Sequence, residues 1–255
     1  MLYLFNRFVP YISAILIAST FAIWSIRPTW IVGVGITFLL IAFGSVWSLT
    51  HEQSGDTHFF QFITTPLALI ICATCFFVFI DNDVVRWIFV GGISIIFTLL
   101  LKNIFSFLHQ TEKYQPYALE NIYSYSNLLA LFLLYGSAFG ANILIGWRFW
   151  PLFLIILFAS GFLYSRTLWS YKISWKAGRF FTLIAGLTMA ELAYVLSFLP
   201  VSYVVSAITV TCAYYLFMNI SKDYLKDSLS ASGVRAYVLI AGGIILAVFL
   251  TTKWI

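Results

Sequence analysis

The sequence predicts an all-α fold, a polytopic bundle of about nine transmembrane helices. Of the 255 residues, 62% are hydrophobic and 9% are charged, whereas charged residues make up about a quarter of an average soluble chain. Aromatic residues contribute 20% of the chain, and the mean hydropathy is +0.97. Polar residues are therefore too few to cover a soluble domain, which excludes soluble enzymes, nucleic-acid-binding proteins and disordered proteins.

Nine stretches are apolar over the roughly 20 residues that a helix needs to cross a bilayer. Their apolar runs are continuous, which indicates helices rather than the alternating strands of a barrel. They take up most of the chain, so we predict one integral membrane domain over residues 1–255. The spans are 8–26, 30–49, 59–80, 84–108, 123–145, 149–168, 178–198, 201–219 and 236–252.

The first span and two tight links need separate justification. Arg7 precedes a first apolar run that is longer than a signal-peptide core, so we interpret it as an uncleaved span, with a signal peptide as the alternative. Short links at 81–83 and 199–200 leave a count of eight open. Pro200 suits the first position of the eighth helix, where no amide hydrogen is needed.

Lysine and arginine distribution predicts the orientation of these spans. Alternate loops divide the 14 basic residues unevenly, and the richer side is expected to be cytoplasmic. This places the N-terminus inside, the C-terminus outside and the protein in a cytoplasmic membrane. The richer side has Arg7, Lys102, Lys113, Arg166, Lys172, Lys176, Arg179, Lys222, Lys226 and Arg235, against Arg27, Arg86, Arg148 and Lys253.

Two basic loops on the richer side are predicted to lie along the membrane interface. In 169–176, positions 169, 172, 173 and 176 share one helical face, and 221–229 places Leu225 and Leu229 one turn apart. The partners predicted here are anionic lipid headgroups, with a cytosolic docking partner as the alternative. The predicted headgroup contacts are Trp169, Lys172, Lys176, Arg179, Lys222 and Lys226.

Glu191 is the leading candidate for a functional residue. The other eight acidic residues are predicted in loops, whereas Glu191 lies inside an apolar span. An ionised carboxylate is costly there, so we expect the side chain to face the protein interior. Thr188 and Tyr194 are one turn away on either side and can hydrogen-bond it.

Several other polar or small residues complete the candidate set. Tyr215 and Asn219 are four residues apart on the eighth span and are predicted to face Glu191 as further binding residues. Gly186, Ala190 and Ala193 form a stripe that favours close helix packing. Arg86 and Arg148 are the candidate charge partners of Glu191, and other polar residues in the spans are Asn127, Asn142, Thr209, Thr211 and Tyr214.

Three short motifs have structural interpretations that we prefer to functional ones. Gly136 and Gly140 form a small-xxx-small motif, which predicts packing inside the protomer rather than in a dimer. The segment 51–58 resembles a zinc-protease helix, but Gly55 stands where the second histidine would be. A solvated turn is favoured, with a metal held by His51, Asp56 and His58 as the alternative. Cys72 and Cys75 have redox spacing without a second cysteine pair, which favours ordinary packing.

The segment 190–200, Ala-Glu-Leu-Ala-Tyr-Val-Leu-Ser-Phe-Leu-Pro, and the ending Leu-Thr-Thr-Lys-Trp at 250–254 carry a family resemblance. They resemble uncharacterised multi-pass membrane proteins of reduced-genome candidate-phylum bacteria, mainly over the last third of the chain. The resemblance implies a bacterial cytoplasmic membrane and no particular activity.

The sequence leaves three functional hypotheses open. The leading one is a non-enzymatic component of a membrane assembly, or a permease-like unit, with Glu191 at an internal polar site. The second is a proton- or cation-coupled transporter of small molecules, and the third is a lipid-modifying enzyme with Glu191 as its base. No cofactor, metal or nucleic acid is predicted, and both a membrane-protein partner and a homo-oligomer stay open.

Overall fold

The computed structural model describes residues 2–50, 56–110, 114–115 and 117–252, and within these ranges it is helical, without strands. All nine described helices are long and apolar enough to cross a membrane, so the chain is a multi-pass membrane protein and the predicted fold class is confirmed. In chain order they are α1 (Leu2–Ile26), α2 (Ile31–Thr50), α3 (Asp56–Phe77), α4 (Asp83–His109), α5 (Ala118–Ile145), α6 (Phe149–Ser170), α7 (Trp175–Leu196), α8 (Tyr203–Leu225) and α9 (Ala231–Thr251).

Helix ends differ from the prediction where polar residues extend an apolar span. Helix α8 continues to Leu225, α9 begins at Ala231 and α5 begins at Ala118. The expectation that all other acids lie in loops is therefore wrong, since Glu120 lies in the first turn of α5, where a carboxylate complements the helix dipole. Pro200 does not start α8, because the Ser202 side chain caps it by accepting from the Val205 amide at 3.4 Å.

The chain divides into two compact units, residues 1–126 and 127–255. In the first unit α1 packs against α2 and α4, and α2 packs against α3. Phe21 of α1 lies at the centre, with its ring 4.5 Å from that of Phe38 and 4.9 Å from that of Phe77. A hydrogen bond of 2.6 Å between Ser13 and Ser45 also joins α1 to α2.

The second unit contains the close-packed pair α6 and α7. A Cβ atom added at Gly186 would lie 2.6 Å from the backbone oxygen of Leu157, and one added at Gly161 would lie 3.3 Å from that of Thr182. Only glycine lets the two backbones approach so closely. Gly186, Ala190 and Ala193 are all buried, so the prediction that this stripe packs closely is confirmed.

Two turns of the second unit have the same construction. After α6, the Lys172 amide donates to Trp169 O and the Ile173 amide to Leu168 O. After α8, the Asp227 amide donates to Tyr224 O and the Ser228 amide to Asp223 O. Both are Schellman motifs, which normally have glycine in the left-handed position, but here that position holds Lys172 (φ 61°) and Asp227 (φ 53°).

These turns correct both predicted interfacial helices. The segment 169–176 is not one helix, because α6 ends at Ser170 and α7 begins at Trp175, so positions 169 and 176 share no helical face. Leu225 ends α8 and Leu229 follows the turn, so these two leucines are not successive on a helix. Periodicity alone missed both helix ends because a non-glycine residue takes the left-handed position.

Helix α9 is the least buried helix of the second unit. It packs against α8, and Ala241 is its only buried residue within Ala231–Thr251. Helix α5 is the opposite case, because every residue of 135–141, including Gly136 and Gly140, is buried. That burial agrees with the predicted packing of the Gly136–Gly140 motif inside the protomer.

Candidate functional site

Glu191 does not face the interior. The buried side of α7 is the small-residue stripe that packs against α6. Ala190 belongs to that stripe, and the following residue, Glu191, is rotated about 100° away from it around the helix axis. Glu191 is exposed and lies within what we call the outer face of α7. The outer face consists of Phe180, Leu183, Leu187, Glu191, Tyr194 and Val195, all of which are exposed.

The residues predicted around Glu191 are engaged elsewhere. Thr188 Oγ1 donates to the Ile184 carbonyl at 2.7 Å. The Tyr194 ring packs on Phe149 at 5.7 Å and on Trp150 at 5.9 Å. Glu191 thus lies on a helix that is long and apolar enough to cross a membrane, but neither predicted neighbour is directed at its carboxyl group.

Tyr215 and Asn219 do not reach Glu191 either. Measured from the α7–α8 link, Glu191 lies about 7.5 Å along α7, whereas Tyr215 lies about 18 Å along α8. Asn219 Nδ2 instead donates to the Tyr215 carbonyl at 2.9 Å, and Asn219 Oδ1 accepts from Lys222 Nζ at 3.1 Å. The predicted binding set is thus split between two depths of the membrane.

The two arginines predicted as charge partners of Glu191 have other surroundings. Arg86 belongs to the first unit, where its guanidinium lies 3.5 Å from Asp83 and donates through Nε to the Ile80 carbonyl at 2.6 Å. Arg148 is exposed at the N-cap of α6. No ion pair of Arg148 or Glu191 occurs among the residues that the structure describes.

A cluster of hydroxyl groups is the main polar feature inside the second unit. We call it the hydroxyl cluster: its members come from α5, α6 and α8, all but Ser221 are completely buried, and Ser221 is 4% exposed. Three hydrogen bonds join the helices: Tyr135 to Ser160 at 2.8 Å, Tyr164 to Ser221 at 2.6 Å, and Asn127 Nδ2 to Thr167 Oγ1 at 3.1 Å. The members are Asn127, Tyr135, Ser160, Tyr164, Thr167, Tyr214 and Ser221.

Two polar atoms of the hydroxyl cluster lack a hydrogen bond of normal length within the described ranges. They are Asn127 Oδ1, an acceptor, and the Tyr214 hydroxyl, a donor. The Tyr214 ring lies 6.3 Å from that of Tyr164, edge to face, and its hydroxyl is directed towards Thr167. A buried amide oxygen without a donor is an unused acceptor inside the bundle.

Asn127 and Tyr214 were identified in the sequence as polar residues of the spans, but the rest of this cluster was missed. The missing signal was helical spacing on α6, where Ser160, Tyr164 and Thr167 follow one another at four and three residues. Serine, threonine and tyrosine are all common in membrane helices, so none of these residues is as unusual in the sequence as a carboxylate such as Glu191. All members are uncharged, and the cluster therefore provides a neutral site.

A second polar group, which we call the basic end of α8, lies where α8 meets its turn. The ammonium groups of Lys222 and Lys226 lie 5.0 Å and 4.6 Å from the centre of the Tyr171 ring. Asp223 is 3.7 Å from Lys222 and accepts from the Tyr237 hydroxyl at 2.9 Å. Lys222 and Lys226, two predicted headgroup contacts, are thus brought together by a tyrosine that the prediction did not include.

The other predicted headgroup contacts surround the α6–α7 turn. Lys172, Lys176 and Arg179 are exposed there, and Trp169 is half-buried at the end of α6. Arg166, one turn before the end of α6, lies with its guanidinium carbon 5.1 Å from the centre of the Phe162 ring. Exposure of these cations leaves headgroup contact as a prediction for each of them.

The weaker motifs show no catalytic arrangement in the part of the chain that the structure describes. Cys72, Cys75 and Cys212 are free thiols. The side chains of segment 51–58 lie outside the described residues, so the alternative of a metal held by that loop stays untested. Elsewhere in the described chain, no group of three or more metal-ligating His, Cys, Asp or Glu side chains occurs.

Comparisons with known proteins give no relative. No protein-family model, curated protein or solved structure matches the chain. The resemblance to candidate-phylum membrane proteins therefore stays a prediction, and functional inference depends on the geometry above.

Proposed function

We propose that this chain is a non-enzymatic component of a membrane assembly and that it binds a second copy of itself through the outer face of α7. One observation carries the proposal: the carboxyl group of Glu191 is exposed on an apolar helix face, between Leu187 and Tyr194. A charged group facing hydrocarbon costs about 2.5–3.5 kcal/mol at the centre of a membrane helix, and Glu191, about 7.5 Å from the end of α7, bears part of that cost. A protein partner that supplies a polar group removes this cost.

Charge complementarity favours a second copy as that partner. Arg148 is exposed at the start of α6, which runs antiparallel to α7, and the contact between Trp150 and Tyr194 shows that Arg148 lies near the level of Glu191. Two copies related by a two-fold axis along the membrane normal would place each Glu191 opposite the partner's Arg148. Such an interface forms two identical ion pairs, each shielded from water by Trp150 and Leu187.

Charge reversal tests this dimer. Glu191→Arg and Arg148→Glu should each shift the protein to monomers in lipid nanodiscs or at low density in supported bilayers, measured by single-molecule subunit counting. The double variant, Glu191→Arg with Arg148→Glu, should restore dimers because it recreates both pairs with inverted polarity. Breaking a desolvated pair costs about 2–5 kcal/mol, so each single variant should weaken dimerisation at least about tenfold.

The matched control is Asp81→Arg, which reverses an exposed acid in the α3–α4 link and should leave the dimer unchanged. A monomeric wild type, or single reversals that leave the dimer intact, would overturn the proposal. An ion pair within one copy would show itself as a loss of thermal stability in both single variants without a change in subunit number.

The orientation of this assembly is part of the proposal. The ten-to-four division of basic residues supports an N-terminus in the cytoplasm, a C-terminus outside and residence in a bacterial cytoplasmic membrane. Reporter fusions at the two termini test it, since a cytoplasm-active reporter should work only at the N-terminus. Activity at the C-terminus would reverse the assignment.

A second candidate function is supported by the hydroxyl cluster: a permease for small uncharged solutes that form hydrogen bonds. Asn127 Oδ1 supplies a buried acceptor without a hydrogen bond in the described ranges, the Tyr214 hydroxyl lies beside Thr167, and no charged side chain belongs to the cluster. Stopped-flow swelling of proteoliposomes in glycerol and in urea tests it. Swelling faster than in empty liposomes, and slowed by Asn127→Leu but not by Leu239→Ala on α9, supports the permease; equal rates overturn it.

The two remaining hypotheses lose their support from Glu191. Coupled transport required this carboxyl in a water-accessible interior, but it is on the outer face. The lipid-modifying enzyme required it beside the basic loops, yet Glu191 lies about 24 Å along α7 from Trp175. Both hypotheses would need a different acid, and the hydroxyl cluster contains none.

A further inference from the structure

An apolar cleft runs between α5, α8 and α9 in the second unit. Its volume is about 340 Å³ and it is open to the outside of the bundle. Helix α5 contributes Leu128 and Phe132, α8 contributes Ile208 and Tyr215, and α9 contributes Ile240 and Ile244. Helix α9 packs against α8, and Ala241 is the one residue of Ala231–Thr251 that is buried. Because α9 does not pack closely against α5, a cleft remains between them.

One end of the cleft leads to the basic end of α8. Tyr215 lines the cleft, and its ring lies 6.1 Å from that of Tyr237. The Tyr237 hydroxyl in turn donates to Asp223, the neighbour of Lys222. A molecule lying in the cleft would therefore have its apolar part among aliphatic residues and its end beside two lysines.

Lys226 has no carboxylate partner at this end within the described ranges. Lys222 and Lys226 converge on the same tyrosine ring, and Asp223 is the only carboxylate that is paired with either of them in the described ranges. Asp223 is also committed to Tyr237. Asp227 follows Lys226 and is exposed in the same turn, so the four charges sum to zero. The feature that an anionic group from outside the chain can use is the exposed Lys226 ammonium group, which has no ion pair in the described ranges.

We propose that an anionic phospholipid binds here, with its phosphate at Lys222 and Lys226 and one acyl chain in the cleft. From Tyr215 to Ile208 the cleft accommodates about 10 Å of chain. Bilayer hydrocarbon is as apolar as the cleft walls, so the acyl chain adds little selectivity. Selection comes from the headgroup charge, at about fivefold for each lysine.

The experiment measures which lipids stay bound to the full-length protein. The protein is reconstituted in vesicles of equal parts phosphatidylglycerol and phosphatidylcholine, extracted gently and studied by native mass spectrometry. The wild type should retain phosphatidylglycerol about 25-fold over phosphatidylcholine. Lys222→Gln with Lys226→Gln should abolish this preference, and Lys226→Gln alone should reduce it about fivefold.

The matched control for Lys226→Gln is Lys102→Gln, which removes one exposed positive charge from α4 and should leave the preference intact. An equal loss in this control would mean a diffuse surface effect and would overturn the site. Since Lys222 is half-buried, thermal unfolding of each variant is measured in parallel. If the double variant does not fold, the single variant Lys226→Gln still tests the proposal, because Lys226 is exposed.

Two further arms separate a lipid from a free phosphate. Inorganic phosphate at millimolar concentration should not displace the bound phosphatidylglycerol, and displacement would mean a simple anion site. Ile244→Trp fills the cleft and should lower lipid retention, whereas Leu239→Trp, on an exposed position of the same helix, should not. Equal retention in both variants would remove the acyl chain from the proposal.

Discussion

The α6–α7 and α8–α9 hairpins are joined by turns of the same type, but the two helices pack closely in the first hairpin and loosely in the second. Each first helix stops in a Schellman motif with a charged residue in the left-handed position. Beyond the turn, α6 and α7 stay so close that a Cβ atom at Gly186 would overlap the Leu157 carbonyl and one at Gly161 would be tight against that of Thr182. In the second hairpin α9 buries only Ala241, and an open cleft remains beside it.

The difference shows that the facing residues, rather than the turn, decide how close two membrane helices come. Small residues on α7 recur at 178, 182, 185, 186, 190 and 193 and all are buried. The small residues of α9 include Gly242 and Gly243, but a Cβ at either would meet nothing within 4 Å. Dispersion contacts hold membrane helices together, so α6 and α7 pack closely, whereas an open cleft remains beside α9.

The largest effect is expected from breaking the close pair. Gly186→Val places two methyl groups against the Leu157 carbonyl, and backbone cannot move aside as a flexible side chain can. We expect a loss of about 2–3 kcal/mol in the free energy of unfolding, measured by reversible unfolding in mixed micelles.

The matched control for that loss is Gly242→Val in α9, where the new side chain meets open space. It should change the free energy of unfolding by less than about 0.5 kcal/mol. Equal losses at positions 186 and 242 would mean that glycine is needed for the helix itself, and the contrast between the hairpins would fail.

A smaller effect of opposite sign is expected at the shared turns. Lys172 has φ 61°, which costs a residue with a Cβ about 1 kcal/mol, so Lys172→Gly should stabilise the protein by about that amount. Asp227→Gly should gain less, because aspartate tolerates the left-handed conformation better. Lys176→Gly, in the first turn of α7, should instead destabilise by up to about 1 kcal/mol, and a stabilised Lys176→Gly would contradict the backbone explanation.

Element positions could be predicted from the sequence because hydrophobic length sets them. The predicted span 149–168 differs from α6 by two residues at one end, and 30–49 differs from α2 by one at each end. The direction of a side chain around a helix depends on which neighbour packs where. The free-energy cost of an ionised carboxylate in lipid predicts that Glu191 faces the interior. In the structure, Gly186 and Ala190 occupy the side of α7 that packs inside the protein, so Glu191 faces outward.

The candidate sites were predicted less completely for the same reason. Lys222 and Lys226 were identified by charge, but Tyr171 joins them only through the turn that brings the end of α6 beside α8. The sequence does not single out Tyr135 and Tyr164, because tyrosine is also common at membrane interfaces. The interhelical hydrogen bonds of these two tyrosines depend on which helices lie next to each other, and a single sequence does not predict that.

The smallest predicted effect concerns what holds α9 in place. Tyr237 donates to Asp223 at 2.9 Å, a side-chain hydrogen bond between α8 and α9. Tyr237→Phe keeps the ring contact with Tyr215 and removes only this bond, which is worth about 0.6 kcal/mol between membrane helices. Because global unfolding barely registers such a change, spin labels on Leu239 and Phe132 should report it as a broader distance distribution across the cleft. An unchanged distribution would mean that apolar contacts around Ala241 alone position α9, and Tyr164→Phe, which breaks an α6–α8 bond instead, should leave the distribution as it is.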